Sequence, residues 1–149
     1  MRVEVETVVQ VTDEHVEACR RLLRQLSATA GPLGRDDLRR IAAHQAVTLL
    51  VARGPEGIVG MLTLVVFPLA TGVRARIEDV VVDERARGQG VGTALTMAAL
   101  RLAGERGARS VDLTSRTSRE AANRLYQHLG FRLRDSNVYR YQPRPPEAG

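Results

Sequence analysis

Alternating apolar and polar positions divide the chain into strands and helices. Apolar residues at every second position predict a first strand over Val3–Val11. Apolar residues at helical spacing then predict a helix that Thr12 or Asp13 caps and that runs to about Leu26. Further strands are predicted over Val47–Arg53, Ile58–Phe67, Ala75–Val82, Ser110–Ser115, Phe131–Arg134 and Val138–Gln142. Further helices are predicted over Asp36–Gln45 and Gly90–Arg106, and from Ser118 to Leu129.

The order of these elements is typical of a mixed α/β domain. Strands joined by short turns in the first half pair antiparallel, and strands alternating with helices in the second half predict parallel crossovers. We therefore expect one central, mostly antiparallel mixed sheet of about six or seven strands, with helices on both faces. A single domain is predicted over residues 1–142, and the proline-rich segment 143–149 is predicted to be a disordered tail.

The composition is that of a soluble globular protein. The 149 residues are 44% apolar and 26% charged, and the apolar runs are shorter than the roughly 20 residues that cross a bilayer. Residues 1–11 alternate and lack the apolar core of a signal peptide, so a cytoplasmic location and no membrane partner are expected. The single cysteine, Cys19, lies among apolar residues at helical spacing and is predicted to be a core residue.

The positive charge raises the question of nucleic-acid binding. The net charge is +5, and the basic side chains are all arginines spread along the chain. Stacking on bases requires aromatic side chains, which make up only 3% of the residues. We therefore expect no nucleic-acid partner and interpret part of the charge as a local anion site.

A glycine-rich loop, RGQGVG from Arg87 to Gly92, lies between a predicted strand and a predicted helix. Its glycines let the backbone approach a ligand, and the free N–H groups that open a helix suit phosphate oxygens. Arg85 and Arg87 can add charge-assisted contacts. The loop lacks the Gly-Lys-Ser/Thr of a nucleotide P-loop and the third glycine of a dinucleotide fingerprint. On the loop alone, a tight turn that binds nothing remains the alternative.

The loop and a second motif resemble those of the GCN5-related N-acetyltransferase (GNAT) family. The chain is similar to a small, single-domain, bacterial-type member of that family. Arg87, Gly90 and Gly92 fit the Q/R-x-x-G-x-G/A signature, and "IEDVVVDERARGQGVGTAL" is similar to the fourth strand and third helix of that family. Further on, "REAANRLYQHLGF", from Arg119 to Phe131, is similar to its fourth helix and following strand. The order of elements matches over most of the chain.

The resemblance implies that the protein transfers an acetyl group from acetyl-CoA to a primary amine by direct attack in a ternary complex, without a metal. It also implies a GNAT fold in which a splayed strand pair forms the acyl-CoA slot. The strand backbone would polarise the thioester carbonyl, as an oxyanion hole does, and the loop would hold the pyrophosphate. A homodimer is the family-level expectation. The implied cofactor contacts are Val80, Val81, Val82, Arg87, Gly88, Gln89, Gly90, Val91, Gly92, Thr93, Asn123 and Tyr126.

Two residues of the last predicted helix receive roles from the same resemblance. Tyr126 would protonate the departing CoA thiolate, and Asn123, one turn earlier, would hydrogen-bond the cofactor. The structural alternatives are a tyrosine packed on the sheet and an ordinary surface asparagine.

Two adjacent carboxylates lie in the predicted strand Ala75–Val82. Alternation places Asp79 on one face with Ile77 and Val81, and Glu78 on the other. Because burying a carboxylate is costly, two of them in a central strand indicate a hydrated cleft.

Glu78 is the first candidate for the general base that takes a proton from an ammonium acceptor, directly or through water, and Asp79 is the second. The alternative is that Glu78 pairs with a structural arginine such as Arg74 or Arg76.

The amine acceptor stays open at this point. "IEDVVV" is also similar to glucosamine-6-phosphate N-acetyltransferases within the family, whereas "SATAGPLGRDD" shows no sugar-phosphate pattern. The loops that contact the acceptor vary most in sequence, so the choice between a small molecule and a peptide stays open. The alternative function is a non-catalytic acyl-CoA-binding regulatory module of the same fold.

Overall fold

The computed structural model describes residues 1–144, which fall into two compact units. The first unit is Met1–Arg116, and the second is Thr117–Gly149, described as far as residue 144. The predicted tail therefore lies outside the described residues from position 145 onward. The first unit holds β1 (Glu4–Thr7), α1 (Asp13–Leu26), α2 (Arg35–Ala43), β2 (Val47–Gly54), β3 (Gly57–Leu69), β4 (Gly72–Val82), a 3-10 helix (Glu84–Ala86), α3 (Val91–Glu105) and β5 (Val111–Asp112). The second unit holds α4 (Glu120–His128).

The first helix begins where the sequence predicts, because Thr12 caps it. The Thr12 hydroxyl accepts the His15 N–H at 3.3 Å, and His15 Nδ1 accepts the Thr12 N–H at 3.1 Å. One stripe of α1 is buried, including Cys19 and Leu22. Cys19 is therefore a core residue, as predicted, and burial raises the pKa of its thiol to about 11.

The five strands form one sheet in the order β1-β2-β3-β4-β5, with only the β4–β5 pair parallel. Leu49, Val51 and Met61 pack with the buried faces of α1 and α2. On the opposite face, a Cβ at Gly60 would meet side chains of α3 at 3.0 Å. Helices therefore cover both faces, and the predicted fold class is confirmed with five strands in the described chain.

A bulge interrupts β4 beside β3. Thr63 pairs with Glu78 and Met61 pairs with Val81, so one residue of β3 lies opposite two of β4. The extra residue reverses the alternation: Val81 joins the α1 and α2 side, whereas Ile77, paired with Leu64, lies on the other face. The prediction that Ile77 and Val81 share a face is wrong for this reason.

The strands predicted over Phe131–Arg134 and Val138–Gln142 do not form, and β5 covers only the start of the predicted Ser110–Ser115. A strand requires partners for its backbone and one buried face. In the described chain, Leu133, Val138, Tyr139 and Tyr141 are between 79% and 93% exposed. Their apolar alternation therefore has no buried face.

Candidate active site

The end of β4 is an open sheet edge. Within the described chain, β4 pairs with β5 only at Ala75 and Arg76, although β4 continues to Val82. The Asp83 N–H points toward β3, where the Val59 carbonyl accepts it at 2.8 Å, so by alternation the backbone groups of Val82 point to the open side. β4 thus extends beyond its pairing with β5, as the predicted splayed strand pair requires, and its last residues have backbone groups that β5 does not bind.

The exposed glycine loop leads into an uncapped helix N-terminus. Gly88 and Gly90 adopt left-handed conformations with φ of 74° and 85°, which favour glycine. A Cβ at Gly90 would meet no described atom within 4 Å. In the same part of the chain, α3 has neither a side-chain cap nor an acidic residue in its first turn. The first N–H groups, from Val91, Gly92 and Thr93, therefore suit an outside anion.

Arg87 connects the loop to the strand end. Its Nε donates to the Val82 carbonyl at 3.4 Å, and the residue is exposed. Nearby, the Gln89 side-chain amide donates to the Arg85 carbonyl at 3.4 Å. The structure therefore gathers the predicted residues of β4, the loop and the start of α3 into one region of the first unit.

Glu78 forms an ion pair with an arginine on its own strand. Arg76 Nε donates to Glu78 at 2.9 Å, and another nitrogen of Arg76 donates to the Thr114 hydroxyl at 3.2 Å. Both side chains are partly exposed to solvent. The pairing with Arg76 considered from the sequence is therefore present, and the carboxylate stays accessible to an acceptor.

Asp79 occupies the bulge next to Glu78. Its φ is 51°, a left-handed value that is costly for most side chains and better tolerated by Asp and Asn. Desolvation by neighbouring atoms and, secondarily, the charge of Glu78 raise the pKa of the Asp79 carboxyl. A carboxyl with a raised pKa is better matched to accepting a proton near neutral pH.

Asn123 and Tyr126 lie three residues apart on α4, in the second unit. The Tyr126 ring is buried and meets Phe131 edge to face, with ring centroids 5.7 Å apart. Burial raises the pKa of the phenol, with Arg119 opposing this shift, so the hydroxyl stays protonated at neutral pH. The Asn123 amide donates to the Arg119 carbonyl at 2.9 Å.

Asp83 is a functional candidate that the sequence patterns do not single out. The residue is only 2% exposed, and its carboxylate accepts the Arg85 N–H at 3.2 Å. An acidic residue at the start of a short helical turn is a recognisable capping signal. Its burial depends on contacts with α1, which no local pattern indicates.

Metal binding and membrane spanning are two further properties that the described residues bear on. Across residues 1–144, no cluster of three or more His, Cys, Asp or Glu side chains is arranged to hold a metal ion. The helices in this range are also too short or too polar for any of them to cross a membrane.

The first unit fits an acyl-CoA ligand chemically. An open strand edge can pair with the amides of pantetheine, and an uncapped helix N-terminus flanked by arginines can bind a pyrophosphate. Two partly exposed carboxylates on the same strand can accept a proton from an amine. Each of these groups lies on β4, in the loop that follows it or in the first turn of α3.

Comparison with known proteins identifies the family. The profile of the acetyltransferase (GNAT) family matches residues 14–131. The chain is 40% identical over 106 residues to a glucosamine 6-phosphate N-acetyltransferase of Trypanosoma brucei brucei, covering 68% of this chain and 69% of that protein. It is 38% identical over 71 residues to N-alpha-acetyltransferase 30 of Schizosaccharomyces pombe, covering 48% of this chain and about half, 47%, of the yeast protein.

A solved structure gives the same result at the level of the fold. A transcriptional regulator from Bacillus halodurans C-125 superposes with a TM-score of 0.78 and 30% identity, over 95% of this chain and 100% of that one. The family match, the relatives and the fold agree with the motifs around Arg87 and Tyr126. The chain belongs to the GNAT family of acetyltransferases.

Proposed function

We propose that this protein transfers the acetyl group of acetyl-CoA to a primary amine of a small molecule or peptide. One observation carries the proposal: the open edge of β4 runs directly into a glycine loop and an uncapped helix N-terminus. This arrangement offers amide-pairing groups and an anion site in the order in which pantetheine and pyrophosphate occur. Family membership supports the reaction type.

In this proposal the protein orients the acyl donor and moves protons. The donor supplies an activated acyl group as its thioester. The open edge at Val80–Val82 orients the thioester, and backbone N–H groups there stabilise charge that develops on its carbonyl oxygen. The loop from Arg87 to Thr93 holds the pyrophosphate, with Asn123 as a further cofactor contact.

The proton steps use three side chains. The adjacent carboxylates of Glu78 and Asp79 take a proton from the ammonium acceptor, and the raised pKa of Asp79 makes it the better matched of the two. Glu78, which is partly exposed beside Arg76, accepts the same proton directly or through water. The buried phenol of Tyr126 protonates the departing thiolate.

Three further properties are proposed on family or sequence grounds. The family match runs from residue 14 to residue 131, which supports one functional domain over residues 1–142. A homodimer and a cytoplasmic location are proposed as well. Light scattering of the purified chain tests the dimer, and a fluorescent fusion tests the location.

A second candidate is a regulatory module that binds acyl-CoA without catalysis. The similar structure from Bacillus halodurans C-125 is that of a transcriptional regulator, which supports this second candidate. The two candidates differ in whether bound acetyl-CoA is consumed.

A thiol-release assay with acetyl-CoA and a panel of amines separates them. The panel should include glucosamine 6-phosphate, other amino sugars, polyamines, amino acids and peptides with a free N-terminus. We expect at least one amine to accelerate thiol release and to gain one acetyl group by mass spectrometry. Binding of acetyl-CoA without acceleration by any amine would favour the regulatory module.

A further inference from the structure

A buried carboxylate lies between the open strand edge and the glycine loop. Asp83 directly follows β4 and is 2% exposed. Its N–H is bound to the Val59 carbonyl at 2.8 Å, which ties it to β3. Its carboxylate accepts both the Arg85 N–H and the Arg85 guanidinium, each at 3.2 Å. Asp83 therefore holds the first turn of the loop by backbone and side chain together.

One face of α1 reaches the same point. Glu17, Arg21 and Gln25 are four residues apart and share that face. Arg21 Nε lies 3.4 Å from the Asp83 carboxylate, and Arg21 also binds Glu17 at 2.8 Å. The Gln25 side-chain oxygen accepts the Glu84 N–H at 3.0 Å. Helix α1, which is remote in sequence, thus contacts both the Asp83 carboxylate and the Glu84 backbone at the start of the loop.

The carboxylate is charged in this environment. Burial by itself raises the pKa of Asp83, but hydrogen bonds and charge from Arg85, with a hydrogen bond from Gln25, outweigh burial and lower it. A buried ionised group persists only where its partners are in place. The position of Asp83 is therefore coupled to Gln25 and Arg85, and Arg21 of α1 adds an ion-pair contact at 3.4 Å.

We propose that Asp83 is a positioning residue for the pyrophosphate loop, acting through Arg21 and Gln25 of α1 to fix the Glu84–Ala86 turn and the Arg85 guanidinium. This inference rests on the proposed function, because it assumes that the loop binds the acyl-CoA pyrophosphate. Asp83 itself contacts neither the ligand nor the reacting atoms. It sets the geometry that the loop offers before the ligand arrives.

Calorimetric titration with acetyl-CoA tests this role in the full chain, below the unfolding temperature of each variant. Asp83→Asn keeps the shape and removes the charge, and we expect acetyl-CoA affinity to fall about tenfold, the scale of one charged hydrogen bond. The turnover number at saturating acetyl-CoA should stay within about twofold, since only donor binding is affected. The effects of Asp83→Asn and Arg21→Met on affinity should be less than additive in the double variant.

Two more variants separate a loss of loop positioning from a loss of stability. Gln25→Met removes the acceptor for the Glu84 N–H without burying a lone charge, and we expect acetyl-CoA affinity to fall several-fold even if Asp83→Asn does not fold. Arg106→Met is the matched control. It removes the 2.7 Å bond from Arg106 to the Thr48 hydroxyl at the far end of α3, about 20 Å from the loop. The control should lose stability but not acetyl-CoA affinity.

Three results would overturn the positioning role. The first is wild-type affinity in folded Asp83→Asn, and the second is wild-type affinity in Gln25→Met when Asp83→Asn is unfolded. The third is an equal loss of affinity in Arg106→Met, which would make the effect a general loss of stability. A wild-type chain that does not bind acetyl-CoA would refute the proposed function itself, together with this inference.

Discussion

Among residues 1–144, Asp79 is the one non-glycine residue with a left-handed backbone, and it also carries one of the two candidate base carboxylates. The bulge that places it there falls where the apolar alternation of the strand breaks, at the adjacent polar residues Glu78 and Asp79. Alternation therefore located the carboxylate pair correctly but assigned the faces beyond Asp79 wrongly. The broken alternation is the local signal, but the change of faces depends on the pairing with β3, which is a long-range contact.

The raised pKa of Asp79 gives a prediction about stability. A carboxyl whose pKa is higher in the folded than in the unfolded state binds its proton more tightly when folded, so stability falls as pH rises through that range. Asp79→Asn removes this loss and still tolerates the left-handed backbone. Urea unfolding should show a variant more stable than wild type at pH 7, with the gain shrinking toward about pH 4. A pH-independent difference would contradict the raised pKa.

The two carboxylates make different predictions about turnover. If they act as proton acceptors, Glu78→Gln and Asp79→Asn should lower kcat/KM most at low pH, where the acceptor amine is protonated, and less at high pH. The loss should be larger for Asp79→Asn, because the pKa of Asp79 is raised and Glu78 is engaged by Arg76. A pH profile identical to wild type in either variant would leave that residue with a structural role.

Tyr126→Phe tests the general acid. The variant keeps the ring and its edge-to-face contact with Phe131 and removes only the hydroxyl, so stability should change little. Turnover should fall by about 10²–10⁴-fold where departure of CoA limits the rate. Acetyl-CoA affinity should barely change, because the missing interaction belongs to the transition state. Full activity with chemistry shown to be rate-limiting would assign the proton to another donor.

At the scale of elements, local signals predicted the helices better than the strands. Thr12 caps α1 and Gly90 precedes α3, so both helices begin within a residue of the predicted position. The segments after Phe131 have the same apolar alternation as true strands, yet their side chains are exposed in the described chain. Alternation indicates what a strand could bury, whereas pairing decides whether the strand forms.

The open edge of β4 predicts a local response to the ligand. Backbone groups of Val82 face the gap, whereas the Asp83 N–H is already bound to Val59. Hydrogen exchange followed by NMR should therefore show that acetyl-CoA slows exchange at Val82 or its neighbour Val80. Exchange at Asp83, the internal control, should change much less. Unchanged exchange along Val80–Val82 at saturating ligand would contradict the proposed slot.

At the scale of the whole molecule, the predicted family is confirmed, and the family match runs through both compact units. The sequence sufficed for this because it contains two different family motifs, around Arg87 and around Tyr126, at a spacing compatible with the family. The acceptor could not be predicted in the same way, since it is selected by loops whose sequence follows no general rule. The net charge of +5 is consistent with an anionic co-substrate and predicts that binding weakens as salt rises.

The central claim is that the N-terminus of α3 binds the pyrophosphate of acetyl-CoA. Gly92, in the first turn of α3, offers a charge-specific test. Both Gly92→Gln and Gly92→Glu favour the helix and have nearly the same shape, but only glutamate places a negative charge where the pyrophosphate should lie.

The decisive measurement is the acetyl-CoA dissociation constant of these two variants by titration calorimetry, with S-acetylpantetheine as a ligand that lacks the pyrophosphate. Gly92→Glu should bind acetyl-CoA more weakly than Gly92→Gln, by a factor on the order of ten or more. The reason is that the glutamate carboxylate and the pyrophosphate are like charges in close proximity and repel each other. The two variants should bind S-acetylpantetheine equally. Equal acetyl-CoA affinity in two folded variants would contradict the assignment of this helix end to the pyrophosphate.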